Sequence, residues 1–382
     1  MKQSFETPGG EQTAREIAQQ PDVWLDIATL VDRERARLGA FLAPALANPR
    51  IRVVLTGAGT SSYIGACLAP ALAQHLGQRV EAVATTDLVS GPHLYLQRDV
   101  PTLLVSFARS GGSPESVAAI DVAQRALDEV HHLVITCNAA GLLATQMAGV
   151  ANACVLVLPD STNDRGFAMT SSFTSMVLAA ALMFGVIERE RVATLARACA
   201  NALPLLQAFA GDLAACHFER AVFLGSNGLQ ALAAEAALKM LELTDGRIVA
   251  LAQSALGFRH GPKTVVNDRT LVIVFVSNDP YTRAYDLDLL EELRREARAG
   301  AIVAVGAGAM GDARLELAGM SGASDLELAL VDVVFAQCLG LRQSLQFGLT
   351  PDNPNASGVV SRVVQGVRIH PWAGNGADVP GR

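Results

Sequence analysis

No CxxC pair occurs in these 382 residues, and the six cysteines, at 67, 137, 154, 199, 216 and 338, repeat no spacing. Structural zinc sites and disulfide frameworks both show such spacing, so the thiols read as reduced and partly buried. HExxH is absent and the seven histidines fall at no ligand spacing, so no metal is expected. No basic block stands out and the net charge is −7, which argues against nucleic acid as the main partner. The opening residues, MKQSFETPGGEQ, lack the apolar run of a secretory leader. The longest apolar stretch, around 176–187, is too short to cross a bilayer. A cytoplasmic protein without a membrane partner is expected. Aromatics are scarce at 5% and charged residues reach only 18%, against 51% apolar, which suits packed sheets and helices and excludes a disordered chain. This length exceeds one ordinary core, so two domains are the default.

Helical periodicity runs through 13–20 and 22–43, broken by Pro21 and ended by Pro44. From 51 the pattern alternates: strands at 51–56, 79–84, 101–107, 132–136 and 152–158, and helices at 114–129 and 141–147. Continuous apolar strands between helices predict an α/β fold with a parallel sheet covered on both faces. Long helical material at 168–216 then leads to a restart. The strand 220–224 and Gly225-Ser-Asn-Gly228 parallel the strand 51–56 and Gly57-Ala-Gly59. The strand before Ser277 likewise parallels the strand before Ser110, and the separations agree, 277 − 225 = 52 against 110 − 57 = 53. This is an internal repeat of one α/β unit. The second copy continues with a helix near 284–299, a strand at 301–305 and a helix near 332–347. The expected organisation is an N-terminal helical segment over 1–48, α/β units over 49–195 and 205–350, and a tail over 351–382 whose apolar stretch 359–369 is expected to pack.

Three stretches carry chemistry. Gly57-Ala-Gly-Thr-Ser-Ser62 lies where a strand turns into a helix, so Gly59, Thr60, Ser61 and Ser62 offer backbone N–H groups and hydroxyls to an anion, or simply cap the helix. A dinucleotide fingerprint needs glycine at 62, where serine stands, which weighs against a nicotinamide cofactor. Ala108-Arg-Ser-Gly-Gly-Ser-Pro-Glu-Ser116 is the stronger loop. Ser113 and Pro114 suit a helix start, while Arg109, Ser110 and the glycines go beyond capping and fit a phosphate dianion. In Glu235-Ala-Ala-Leu-Lys-Met-Leu-Glu242 the offsets of four and seven set Glu235, Lys239 and Glu242 within a sector of about 60°. Such a face is either ordinary Glu–Lys pairing on a surface or a base with a cation to set its pKa. Thr170, in Phe167-Ala-Met-Thr-Ser-Ser172, is a ligand contact or a cap, and His260, in Phe258-Arg-His-Gly-Pro-Lys263, a proton shuttle or an incidental loop histidine.

Taken together, the two repeats, GAGTSS, ARSGGSPES and E-x3-K-x2-E followed by RHGPK resemble a double sugar-isomerase (SIS) domain protein, similar to the isomerase half of glucosamine-6-phosphate synthase. LTGAGTSSYIG, TTDLV, DRGFAMTSSFT, PYTRAYDLDLL and VVQGVRIHPW resemble more closely the bacterial galactosamine-6-phosphate deaminase/isomerases, also called tagatose-6-phosphate ketose/aldose isomerases, from about residue 15 to 373. The resemblance implies two tandem SIS domains and an aldose–ketose isomerisation of a 2-amino-hexose 6-phosphate coupled to ammonia loss, without cofactor. It implies Glu242 as the base, Lys239 as the helix lysine and His260 as the ring-opening histidine. In the synthase that histidine reaches a neighbouring subunit's site, which implies a homodimer or larger homo-oligomer. Departures are equally informative. No glutaminase domain is expected before the repeats, since Lys2 stands where its cysteine would be. Ala108, Arg109 and Met169 replace two serines and a glutamine of the synthase, and Arg362 lies near the place of its C-terminal lysine. The alternatives are a plain phosphosugar isomerase, which releases no ammonia, and a regulatory phosphosugar-binding module, which keeps the serine loops without the acid–base set.

Overall fold

A computed structural model describes residues 8–374 except 309, 311–313, 356, 365 and 373. Three helices lead in: α1 (Glu11–Ala18), α2 (Gln20–Arg33) and α3 (Arg35–Leu46). The first α/β unit follows as β1 (Arg52–Thr56), α4 (Thr60–Leu76), β2 (Arg79–Ala82), α5 (Thr85–Ser90), α6 (Pro92–Tyr95), β3 (Thr102–Ala108), α7 (Pro114–Ala126), β4 (Val130–Thr136), α8 (Leu142–Met147) and β5 (Ala153–Val157). Helices α9 (Ser171–Met183) and α10 (Arg189–Ala214) connect it to the second. That unit runs β6 (Arg220–Leu224), α11 (Gly228–Leu243), β7 (Val249–Gln253), α12 (Ala255–Phe258), β8 (Thr270–Phe275), α13 (Pro280–Glu296), β9 (Ala301–Gly306), β10 (Arg314–Glu316) and α14 (Asp325–Gln346).

The two five-stranded sheets have the same order, β2-β1-β3-β4-β5 and β7-β6-β8-β9-β10, and every pairing is parallel. The repeat holds to the residue at the start of each unit. β6 begins 168 residues after β1 (220 − 52) and α11 begins 168 after α4 (228 − 60). The turns between them match in backbone as well: Gly59 lies at φ 57, ψ −129 and Asn227 at φ 54, ψ −123. At Gly57 a Cβ would stand 2.5 Å from the Ser61 carbonyl oxygen, and at Gly225 2.3 Å from that of Leu229, so both turns admit only glycine there.

Helix α14 lies inside the protein; by length and hydropathy it could span a membrane, as could α10, but the apolar stretch of α14 is 89% buried among its neighbours. Together with α4, α10 and α11 it forms the seam between the units. Polar bonds fasten α2 to α9 and α14: Trp24 Nε1 donates to Thr174 Oγ1 at 3.0 Å and Gln20 Nε2 to Gln337 Oε1 at 2.8 Å. The free cysteines are buried except Cys216.

Several sequence expectations are corrected. α3 runs through Pro44 to Leu46; the proline gives up its bond to the Ala40 carbonyl, and the helix ends two residues later. α14 starts at Asp325, seven residues before the expected 332, because Ser324 and Glu327 form a capping box. β7, β10 and the short helices α5, α6 and α12 carry too few residues to show a period. Among the described residues of 359–369 the expected packing on this chain is not found: Val359 is 84% exposed and Val360, Val364, Val367 and Ile369 are also exposed. Its anchors are Arg362 and the half-buried Trp372.

Candidate active site

In a sheet of order 2-1-3-4-5 the connections leave β1 and β3 in opposite directions, and a crevice opens at their carboxyl ends. The two loops that flank this crevice are Gly57–Ser62 and Arg109–Ser113. α4 starts at Thr60 without a side-chain cap. In the second loop Gly111 has φ +64, and a Cβ on Gly141 behind it would meet the Ser110 carbonyl oxygen at 2.4 Å. Asn138 Nδ2 donates to that carbonyl at 2.9 Å, and the Ser110 hydroxyl accepts only a long 3.4 Å bond from the Gly112 N–H. Ser113 occupies the N-cap of α7 but caps nothing; its hydroxyl bonds the Ser116 hydroxyl at 2.6 Å. Among the described residues the first-turn N–H groups of Glu115 and Ser116 therefore have no acceptor. A helix N-terminus with free donors and partly exposed hydroxyls favours an anion.

From the other unit, α11 brings its charged face to the same crevice. Lys239 is fully buried: its Nζ donates to Thr60 Oγ1 at 3.0 Å, bonds Glu242 Oε2, and lies 3.4 Å from Glu235 Oε1. Thr60 thus joins the Gly57–Ser62 turn directly to the lysine. Burial would lower the lysine pKa, but the two carboxylates outweigh it and hold Lys239 above its ordinary value. Glu235 is fully buried and neither of its oxygens makes a well-formed hydrogen bond, so the lysine contact is Coulombic. Burial pushes Glu235 up to about 8 despite Lys239, and Glu242 adds to the shift. Glu242 is placed differently, with 24% of its side chain exposed. One carboxyl is sealed under the lysine and the other faces outward. This is no ordinary surface pairing.

Arg109 is buried. Its Nη1 donates to the Phe167 carbonyl at 3.2 Å, its Nη2 to the Arg362 carbonyl at 2.7 Å, and its Nε has no partner. Burial and the nearby Arg362 lower its pKa, while Asp164 and Glu242 work the other way. The Arg362 guanidinium in turn donates to the carbonyls of Asp164 and Gly166, so the tail is tied to the crevice. Thr170 is bound to a protein partner: its N–H and hydroxyl both go to the Asp164 carboxylate, at 2.8 and 3.3 Å, with the N–H groups of Ser171 and Ser172 beside them. His260 is exposed, in the turn after α12, and no side-chain bond links it to the lysine cluster among the described residues. Sequence reasoning missed Asp164, whose carboxylate caps α9 from six residues upstream, a spacing outside any local capping pattern. No cluster of His, Cys, Asp or Glu among the described residues forms a metal cage.

The SIS domain family matches residues 45–185. Over 370 residues, 95% of this chain, the sequence is 47% identical to the Escherichia coli D-galactosamine-6-phosphate deaminase AgaS, 96% of which is covered. The chain belongs to the D-galactosamine-6-phosphate deaminase AgaS family. A Streptomyces coelicolor member of this family is 54% identical over 365 residues, 94% of this chain and 95% of its own length. The crystal structure of tagatose-6-phosphate ketose/aldose isomerase from Escherichia coli superposes with a TM-score of 0.90 at 44% identity, covering 95% of this chain and 98% of that one. The sugar-isomerase resemblance and the α/β class of two parallel sheets flanked by helices, both read from the sequence, are thereby borne out.

Proposed function

We propose that this chain is a galactosamine-6-phosphate deaminase: it isomerises a 2-amino-2-deoxy-hexose 6-phosphate and releases ammonium, with D-tagatose 6-phosphate as product. The observation that carries this reading is Lys239, buried between Glu235 and Glu242 and bonded to Thr60 at the β1–β3 crevice, in a member of this family. The phosphate docks on Ser110, Ser113 and the free N–H groups of α7, with Gly59, Thr60, Ser61 and Ser62 closing the other side.

His260 assists opening of the pyranose ring. Glu242, the carboxyl that reaches the crevice, takes the C2 proton and delivers it to C1. The C1 oxygen gains a proton as the C2 amine gives one up, so the aldehyde becomes an alcohol and the amine an imine. Water adds to the imine, C2 becomes a carbonyl and nitrogen leaves as ammonia. Throughout, Lys239 keeps Glu242 ionised and offsets negative charge on the C1 oxygen of the amino-enolate. Arg109 adds positive charge beside Glu242, and Glu235 orients the lysine. Because His260 and the apolar stretch 359–369 are exposed on a single chain, the same reading includes a homo-oligomer in which a second copy covers them.

The test is an ammonium assay over galactosamine 6-phosphate, glucosamine 6-phosphate and tagatose 6-phosphate. Ammonium from galactosamine 6-phosphate with ketose phosphate in equal amount is expected. Interconversion of sugar phosphates without ammonium would assign the plain isomerase instead.

A further inference from the structure

The second unit has its own crevice, at the carboxyl ends of β6 and β8, and a cavity of about 840 Å³ opens there. Its walls are the counterparts of the candidate active site. The turn residues Asn227 and Gly228 stand 168 positions after Gly59 and Thr60, and Asn278 and Asp279 occupy the loop equivalent to 111–112. The facing helix is α4, and it presents Cys67, Ala71 and Gln74. Those positions lie 168 before Glu235, Lys239 and Glu242. The internal symmetry has therefore built the crevice twice, once with the charged triad and once with a thiol, a methyl and an amide.

The lining also differs in the ligand it suits. No lysine or arginine among the described residues lines the cavity, and two carboxylates do. Asp325 takes the Ser277 hydroxyl at 2.6 Å and the Asn278 N–H at 2.8 Å, at the place where the first unit leaves donors free. Asp279 caps α13 through Oδ1, at 2.8 Å from the Thr282 N–H, and the residue is exposed. A phosphate would meet these charges at short range and be repelled. Amides and hydroxyls from Gln74, Asn227 and Ser321 complete a polar wall suited to a polyol.

We propose that this cavity is a second binding site for an unphosphorylated amino sugar, whose ammonium pairs with Asp279 and Asp325 while its hydroxyls meet the amides. Without a carboxylate–lysine set the ligand is held and not turned over. The size lies in the usual range for small-molecule sites, about 300–1,000 Å³.

Titration calorimetry of the full-length protein with D-galactosamine, D-galactose and D-galactose 6-phosphate tests this. D-Galactosamine is expected to bind, with D-galactose at least about tenfold weaker. Asp279→Asn, which keeps the cap, is expected to weaken D-galactosamine at least about tenfold. Ala71→Trp fills the cavity and is expected to abolish binding; Gln74→Trp, at an exposed helix position, does the same if the first variant does not fold. Glu242→Gln is expected to leave binding unchanged. The proposal is overturned if the wild type does not bind D-galactosamine, if binding survives a tryptophan variant, or if Glu242→Gln removes it, since the amine then sits in the other crevice.

Discussion

After β1 and after β6 the chain makes the same turn, glycine first and a positive φ two residues on, yet the two crevices have opposite electrostatics. In the first, the loop beyond β3 leaves the N–H groups of Glu115 and Ser116 and the Ser110 hydroxyl available. In the second, the protein supplies the anion itself. Asp286 accepts from the Ser226 hydroxyl at 2.6 Å and the Ser277 N–H at 3.0 Å, and Asp325 takes the rest of that loop. Under the proposed function one α/β unit receives the phosphate, and the other carries the α11 face into that crevice. The two turns share one geometry, and the carboxylates of Asp286 and Asp325 set the second crevice apart.

The largest effect that separates the crevices should come from their facing helices. Under the proposed chemistry Glu242→Gln removes the base and lowers kcat for ammonium release by about 10²–10⁴-fold. The mirror change, Gln74→Glu, places a carboxylate at the equivalent of Glu242 and should leave kcat within about twofold, because no lysine accompanies it. Steady-state kinetics on both variants decide the matter. Equal losses would mean that α4 and α11 are not functionally distinct.

A second contrast concerns the loops. Ser110→Asp gives the first unit the carboxylate the second already has, and KM for the sugar phosphate should rise at least about tenfold by like-charge repulsion. Asp286→Asn does the reverse in the second unit. It should cost about 1–3 kcal/mol of stability, read from urea unfolding, with KM unchanged, because a buried carboxylate bonded to a backbone N–H and a hydroxyl is weakened.

How legible all this was depends on range. The parallel-sheet class, the repeat and both glycine turns could be read from β-branched runs and their spacing, since each strand-and-turn signal is settled within about ten residues. The α11 face was visible as an angular sector, but its burial was not: whether Lys239 lies in water or under Thr60 depends on α4, 179 positions away. Arg362 meeting Arg109, 253 positions apart, leaves no local trace at all. Ser113 takes the N-cap place that its local context predicts, but its hydroxyl bonds that of Ser116, three residues on, and not a first-turn N–H.

The smallest effect tests an asymmetry beneath the first crevice. Glu16 on α1 holds the N–H groups of Arg165 and Gly166, the segment onto which Arg362 bonds. Burial, with Asp164 adding to it, raises its pKa from 4.5 to about 7, while the two backbone bonds pull the other way. The folded protein therefore keeps a proton that the unfolded chain releases between those values. The stabilising contribution is complete below about pH 4.5 and is lost as pH rises through about 7, with a slope of at most about 1.4 kcal/mol per pH unit. Glu16→Gln keeps an acceptor for both N–H groups but cannot titrate. Urea midpoints measured between pH 5 and 8 should fall less steeply in this variant than in the wild type. Identical slopes would show that Glu16 stays ionised in the fold, and that Arg165 and Gly166 are held by a fixed charge across that range.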